Sequence, residues 1–254
     1  MKNSNLVQKL EDLAHESWLA AEIQHMGGWL LRANRGVTRR ANSVFPRGIP
    51  SIDLGSAVQE CIRFYHSRSL IPRFQMTEVS QPAGLDIYLE ELDWKIGLQV
   101  DVEIADIDIM LKNMNSYPVE IYPTPPKDWI NAYLAAAQHS DKTPAVREQL
   151  MLRTPLKKVF AASRASGTIA GVGLGVLSGD WLGLFSIATM EEHRAHGIAT
   201  AISQNIAAWG REHGASHVYL QVETNNSCAK RMYSRLGLNH SYKYWYRELL
   251  DDTE

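Results

Sequence analysis

No continuous helix or central strand can run through Tyr117 to Pro126, where Pro118, Pro123, Pro125 and Pro126 each fix φ and withhold a backbone N–H. A chain interrupted so near its middle is expected to form two domains, residues 1–120 and 121–254. The 254 residues are enough for each domain to bury a core. Hydrophobic residues at 45% and charged residues at 21% fit an ordinary globular protein. The formal net charge of −2 argues against a general polyanion binder, so nucleic acid is not an expected partner. Cys61 and Cys228 lie far apart without metal-ligand spacing, and neither a disulfide framework nor a metal site is expected. The N-terminus lacks an apolar signal core, and the run from Ile169 to Leu177 is too short to span a bilayer. No membrane partner is expected, and the expected location is a reducing cytoplasm.

After the prolines, Trp129, Ile130, Tyr133, Leu134 and Ala137 recur at helical spacing, and a second short helix is expected from Pro144 to Leu152. Three β-rich or glycine-rich runs follow, Lys158 to Arg164, Ile169 to Leu177 and Trp181 to Thr189, separated by Ala165-Ser166-Gly167 and Ser178-Gly179-Asp180. They read as an antiparallel meander. Arg194 to His213 carries Ile198, Ile202, Ile206 and Trp209 on one face and stops at Gly214, as an amphipathic helix should. A strand from His217 to Val222, a helix from Ser227 to Leu236 closed by Gly237, and a strand from Ser241 to Leu249 complete the half. In the N-terminal half the expected helices are Leu6 to Leu19, Ile52 to Tyr65 and Leu85 to Trp94. Its expected strands are Trp29 to Ala33, Arg40 to Phe45, Arg73 to Glu78 and Gln99 to Ile104. The later part repeats the helix, strand, helix, strand order of the C-terminal half, which reads as a degenerate duplication.

Arg194-Ala195-His196-Gly197-Ile198-Ala199-Thr200 stands between a strand and a long helix. The first N–H groups of a helix have no internal acceptor and sit at the positive end of its dipole, so they suit a pyrophosphate. Gly197 lets the backbone approach without a Cβ, and Arg194 can add charge.

These residues satisfy Arg/Gln-x-x-Gly-x-Gly/Ala, and the segment from Thr189 to Leu238 resembles the GCN5-related N-acetyltransferase (GNAT) superfamily. A second match follows: Leu220-Gln221-Val222, then a helix from Asn226 through Ala229 and Tyr233 to Gly237-Leu238, which looks like the family's Asn-x-x-Ala-x-x-x-Tyr-x-x-x-Gly-Phe/Leu pattern. The resemblance covers roughly residues 126–249 and departs at Ala195, often glycine in the family, and at Glu191, often proline. It implies an α/β (α+β) fold, with a mixed, mostly antiparallel sheet flanked by helices in the C-terminal domain and a partial GNAT-like N-terminal domain.

The resemblance also implies acetyl-CoA as co-substrate, no metal, and acyl transfer to a primary amine on a small molecule or peptide. In the family the pantetheine arm lies along the strand before the signature, here Ile187, Ala188 and Thr189, in a slot where that strand splays from the next. Asn226 resembles the residue that contacts the arm, and Tyr233 the one that protonates the departing thiolate. A phenol near pKa 10 stays protonated at neutral pH, and a thiolate near 8.5 can accept its proton. A backbone N–H near Ile187 or Ala188 would face the oxyanion. Glu223, past the strand end, is the candidate base, with a solvated charge as its plain alternative. Tyr233 has a plain alternative as a core aromatic, and Asn226 as a helix cap.

Two features stay open. Arg32, Arg35, Arg39, Arg40 and Arg47 fall in a segment without acids. They either recognise an anionic group on the substrate or pair with the acidic helix of Asp86, Glu90, Glu91 and Asp93. The N-terminal half lacks both motifs, so one acetyl-CoA per chain is expected, with that half helping to form the amine site. A CoA-binding sensor without turnover, and an interaction module, are the alternatives to an enzyme. The amine and the oligomeric state are not legible in the sequence.

Overall fold

The computed structural model describes residues 4–137 and 143–250. In chain order the elements begin with α1 (Ser4–Ser17), β1 (Glu22–Met26), β2 (Trp29–Ala33), β3 (Val44–Pro46), α2 (Leu54–His66), β4 (Arg73–Met76), α3 (Leu85–Glu91) and β5 (Lys95–Asp106). They continue with α4 (Ile107–Met110), β6 (Glu120–Tyr122), α5 (Trp129–Ala136), α6 (Pro144–Arg153), β7 (Lys157–Ala165), β8 (Thr168–Ser178) and β9 (Trp181–Thr189). The last are α7 (Ile198–Glu212), β10 (His217–Glu223), α8 (Ser227–Arg235) and β11 (Asn239–Glu248). Among the described residues no helix is long and apolar enough to cross a membrane.

The chain forms two compact units that interleave in sequence. The first takes the described residues of 1–100, 149–154 and 242–254, and the second those of 101–148 and 155–241. The proline-rich segment lies inside the second unit rather than between the two.

In the first unit the strands run β1-β2-β3-β4-β11, with β1, β2 and β3 an antiparallel meander, β3 and β4 parallel, and β11 antiparallel to β4. Its core is Trp29, Leu31, Val44, Phe74, Trp94 and the inner face of α2. That face is built by Ala57, Val58, Cys61, Phe64 and Tyr65 at helical spacing, and Asp53 caps the helix by accepting the N–H of Ser56.

The second unit has the order β5-β10-β9-β8-β7-β6, with β7, β8 and β9 antiparallel and β10 parallel to β9. Each unit therefore runs meander, helix, parallel strand, helix. The strand that follows is divided between the units: β5 passes from the first to the second after Val100, and most of β11 belongs to the first. The glycine run of β8 has a packing reason. A Cβ at Gly173 would stand 2.5 Å from Ile202 and 2.9 Å from Ile206, and one at Gly175 would stand 2.3 Å from Ile206. Alternate glycines let α7 lie directly on the sheet, where its isoleucines join Val218, Leu220 and Tyr233 in the core.

Three sequence expectations change. The strand expected over Arg40 to Phe45 is a single 3-10 turn, Arg40–Asn42, followed by β3. The cause is the buried Asn42 side chain, which accepts the N–H groups of Asn34 and Gly36 and donates to the carbonyls of Val37 and Thr38. The strand β1 was not expected, because it is a largely exposed edge strand with no apolar alternation. The proline segment holds no central strand, as expected: β6, between Pro118 and Pro123, is at the sheet edge. The helix expected from Arg194 begins at Ile198, because Ala195 and Gly197 both have left-handed φ, +64 and +84.

Candidate active site

The parallel ladder between β9 and β10 pairs Trp181 to Leu184 with His217 to Leu220 and goes no further. Both strands continue, β9 to Thr189 and β10 to Glu223. A break in the β8–β9 register begins the separation: between Leu174↔Phe185 and Val172↔Ala188, β9 carries one extra residue, and Ser186 there has φ +52. The bulge turns β9 away from β10, leaving its backbone beyond Leu184 unpaired on that side.

Both strands carry a buried polar atom that no hydrogen bond meets. Thr189 Oγ1 on β9 and Gln221 Nε2 on β10 are buried with no hydrogen-bond partner. Buried polar atoms are rarely left unmet, and these two lie on the strands that bound the gap. Ile187, Ala188 and Thr189 are half-buried and line β9 at this point, while Glu223 is exposed at the end of β10.

Above the slot the chain turns through Ala195 and Gly197 into α7. The helix has Gly197 as its cap, no side chain bonded to its first N–H groups, and no acid in its first turn. Left-handed residues leading into an uncapped helix start make the backbone concavity that binds anions. Ile198 is buried and anchors the helix, whereas Ala199 and Thr200 are half-buried, and His196 is exposed. Arg194 is exposed beside this turn. Its Nε donates to Thr189 O at 3.3 Å and its Nη2 to Ala136 O at 3.2 Å, so it braces β9 against the C-terminal end of α5.

Asn115 also stands at this loop, unannounced by any motif: a Cβ on Gly197 would come within 2.7 Å of its Nδ2. The buried Gln204 of α7 holds the Asn115 segment, accepting the Asn115 N–H at 2.8 Å and donating to Met110 O at 3.0 Å. A glutamine at helical spacing from Ala201 and Ala207 was the available signal.

Asn226 caps α8, its Oδ1 accepting the N–H of Ala229 at 3.1 Å. Seven residues on, Tyr233 is the one residue of α8 classed as buried. Burial first, and the nearby Glu103 second, push its hydroxyl pKa up, so it stays protonated at neutral pH. Glu103 and Asp101 are buried carboxylates of β5, which neighbours β10. No sequence signal marked them, since alternating acids in a β run read as a solvent face. Among the described residues no group of three or more His, Cys, Asp or Glu could hold a metal ion.

The arginine segment divides among partners within the first unit. Buried Arg32 donates to Ser43 and Gln75, Arg40 to the Tyr244 hydroxyl, Arg39 pairs with Glu248 and Arg47 with Asp12. The acidic helix is not their partner: Asp86 holds Arg247 and Trp245, and Asp93 holds Lys95. Trp181, Phe185, Tyr244 and Tyr246 are buried core.

Comparison with known proteins follows from this geometry. The family described as probable histone acetyltransferase Rv0428c C-terminal matches residues 5–247. The uncharacterized N-acetyltransferase YobR of Bacillus subtilis is 30% identical over 95% of this chain and 98% of its own. The probable histone acetyltransferase Rv0428c of Mycobacterium tuberculosis is 24% identical over 94% of this chain and 73% of its own. Among solved structures, a GCN5-related N-acetyltransferase from Kribbella flavida superposes with a TM-score of 0.69 at 14% identity, covering 95% of this chain and 94% of that one.

Proposed function

We propose that this chain, which belongs to the GCN5-related N-acetyltransferase superfamily and within it to the Rv0428c C-terminal family, transfers an acetyl group from one bound acetyl-CoA to a primary amine. The carrying observation is the splay where the β9–β10 ladder stops at Leu184↔Leu220, beside the bare start of α7. The N–H groups from Gly197 to Thr200 take the pyrophosphate, and the free backbone edge of Ile187 to Thr189 takes the amides of the pantetheine arm. Asn226, exposed at the start of α8, keeps its role as an arm contact beside its role as cap.

The thioester carbonyl faces a backbone N–H near Ile187 or Ala188, which stabilises the oxyanion as the unprotonated amine attacks. Collapse breaks the C–S bond, and Tyr233 gives its proton to the sulfur. Glu223 remains the candidate to receive the amine proton, through water, since it is exposed at the strand end.

One site per chain follows from a contrast between the two units. The corresponding helix start in the first unit, that of α2, is occupied by the Asp53 carboxylate, whose charge would repel a phosphate. The repeated order of elements supports reading the first unit as a partial copy that has lost the cofactor. The acceptor class is a small-molecule or peptide amine, and the name of the Rv0428c relative keeps lysine-bearing peptides among the candidates.

The test is calorimetric titration of the intact chain with acetyl-CoA, followed by an amine panel scored by free thiol. One equivalent should bind, and Gly197→Glu, which puts a carboxylate in the cradle, should abolish it. Two equivalents, or unchanged affinity in folded Gly197→Glu, would refute the assignment.

A further inference from the structure

The helix that carries Tyr233 is poorly anchored by apolar packing. Of its nine residues only Tyr233 is buried, and Ala229 and Met232 add partial contact. What holds α8 instead is charge. Asp101, on β5, is 2% exposed, and its Oδ2 accepts from Lys230 Nζ of α8 at 2.5 Å. Its Oδ1 accepts from Thr224 Oγ1 at 3.3 Å, in the loop that leads to Asn226, and stands 3.6 Å from His240 Nε2. Glu103, two residues along β5 and so on the same face, is 5% exposed with Oε2 lacking any partner. Its charge is felt by both Lys230 and Tyr233.

Two carboxylates buried beneath one short helix are a poor route to stability, because desolvation of each costs several kcal/mol and apolar replacements often hold as well. Their geometry does something else. Lys230 lies three residues before Tyr233, on the same side of the helix, and Thr224 lies two before Asn226. One carboxylate thus fixes both the rotation of α8 and the loop at its start.

We propose that Asp101 is a positioning residue for acyl transfer: by holding Lys230 it sets where the Tyr233 hydroxyl meets the slot. The inference rests on Tyr233 as proton donor, and the experiment separates the two. Acetyl transfer and acetyl-CoA affinity are measured for Asp101→Asn, Lys230→Met, Tyr233→Phe and the pairwise doubles, well below each melting temperature. Asp101→Asn and Lys230→Met should each lower kcat about tenfold or more, within what a ~1 Å misplacement can cost, with acetyl-CoA affinity changed less than about threefold.

In the Tyr233→Phe background, Asp101→Asn should cost less than about twofold further, because the group it positions is gone; a role in stability alone would not produce that dependence. The Asp101→Asn/Lys230→Met double should be no worse than the worse single. If Asp101→Asn does not fold, Lys230→Met carries the comparison, since the lysine side chain is 32% exposed. Singles that keep kcat within about twofold, or the same loss in both Tyr233 backgrounds, overturn the positioning role while leaving the proton donor intact. Full kcat in Tyr233→Phe overturns both.

Discussion

Replacing Ala195 by glycine should stabilise this protein, and moving an alanine to position 197 should do the opposite. Ala195 holds φ +64 in the loop that leads into α7. A left-handed backbone costs a residue with a Cβ about 1–2 kcal/mol. Glycine removes that cost but has more freedom to lose on folding, which returns about 0.4–1 kcal/mol. The balance for Ala195→Gly is a gain of about 0.5–1 kcal/mol, equivalent to roughly 1–4 °C in melting temperature for a domain of this size. Gly197→Ala inverts the same balance at φ +84 and adds a contact, its new Cβ falling 2.7 Å from Asn115 Nδ2. Asn115 has to move to admit it, disturbing the 2.8 Å bond from the Tyr117 N–H to its Oδ1. The loss is therefore expected to exceed the mirror-image value of about 0.5–1 kcal/mol.

Both variants are followed by thermal melting with and without saturating acetyl-CoA. Ala195→Gly should raise the melting temperature and keep the full ligand-induced rise, whereas Gly197→Ala should lower the first and shrink the second. If Ala195→Gly melts below the wild type, or Gly197→Ala melts with it, the loop is not held in the left-handed geometry on which the proposed anion site depends.

Tyr233→Phe should lower kcat about 100-fold with acetyl-CoA affinity within a few-fold, the scale of a lost general acid; turnover within about threefold would assign the proton to water. His15 should make the fold acid-sensitive: burial first, then the charges of Arg32 and Arg47, hold its pKa down to about 3 against 6.5. The unfolded chain then takes up the proton first, so the stability from neutral His15, complete above about pH 6.5, falls by up to about 1.4 kcal/mol per pH unit down to pH 3. His15→Leu should flatten denaturant-measured stability between pH 6 and 4, and an unchanged slope would refute the burial argument. Gly173→Ala should destabilise by about 1–3 kcal/mol, because its methyl would press on Ile202, Ile187 and Ile206; an unshifted melting temperature would mean α7 does not pack on β8 as described.

The sequence by itself determined what depends on neighbours along the chain. The stripe of Ile198, Ile202 and Ile206 made α7, the glycines at 214 and 237 closed helices, and Arg194 to Thr200 marked a helix start that no side chain caps. Each is written within a turn or two of backbone, so propensity and φ suffice to read it. The tertiary structure decided what depends on segments far apart. The slot exists because a bulge at Ser186 ends pairing with β10, and whether a ladder stops at Leu184 is set by both strands together. The second unit takes the end of β5, from before the proline segment, while most of β11 belongs to the first. No local signal assigns a strand to its neighbour when the pairing partner lies a hundred or more residues away. That exchange also buries Asp101 against Lys230, 129 residues later in the chain, and leaves Asp101 and Glu103 as buried carboxylates.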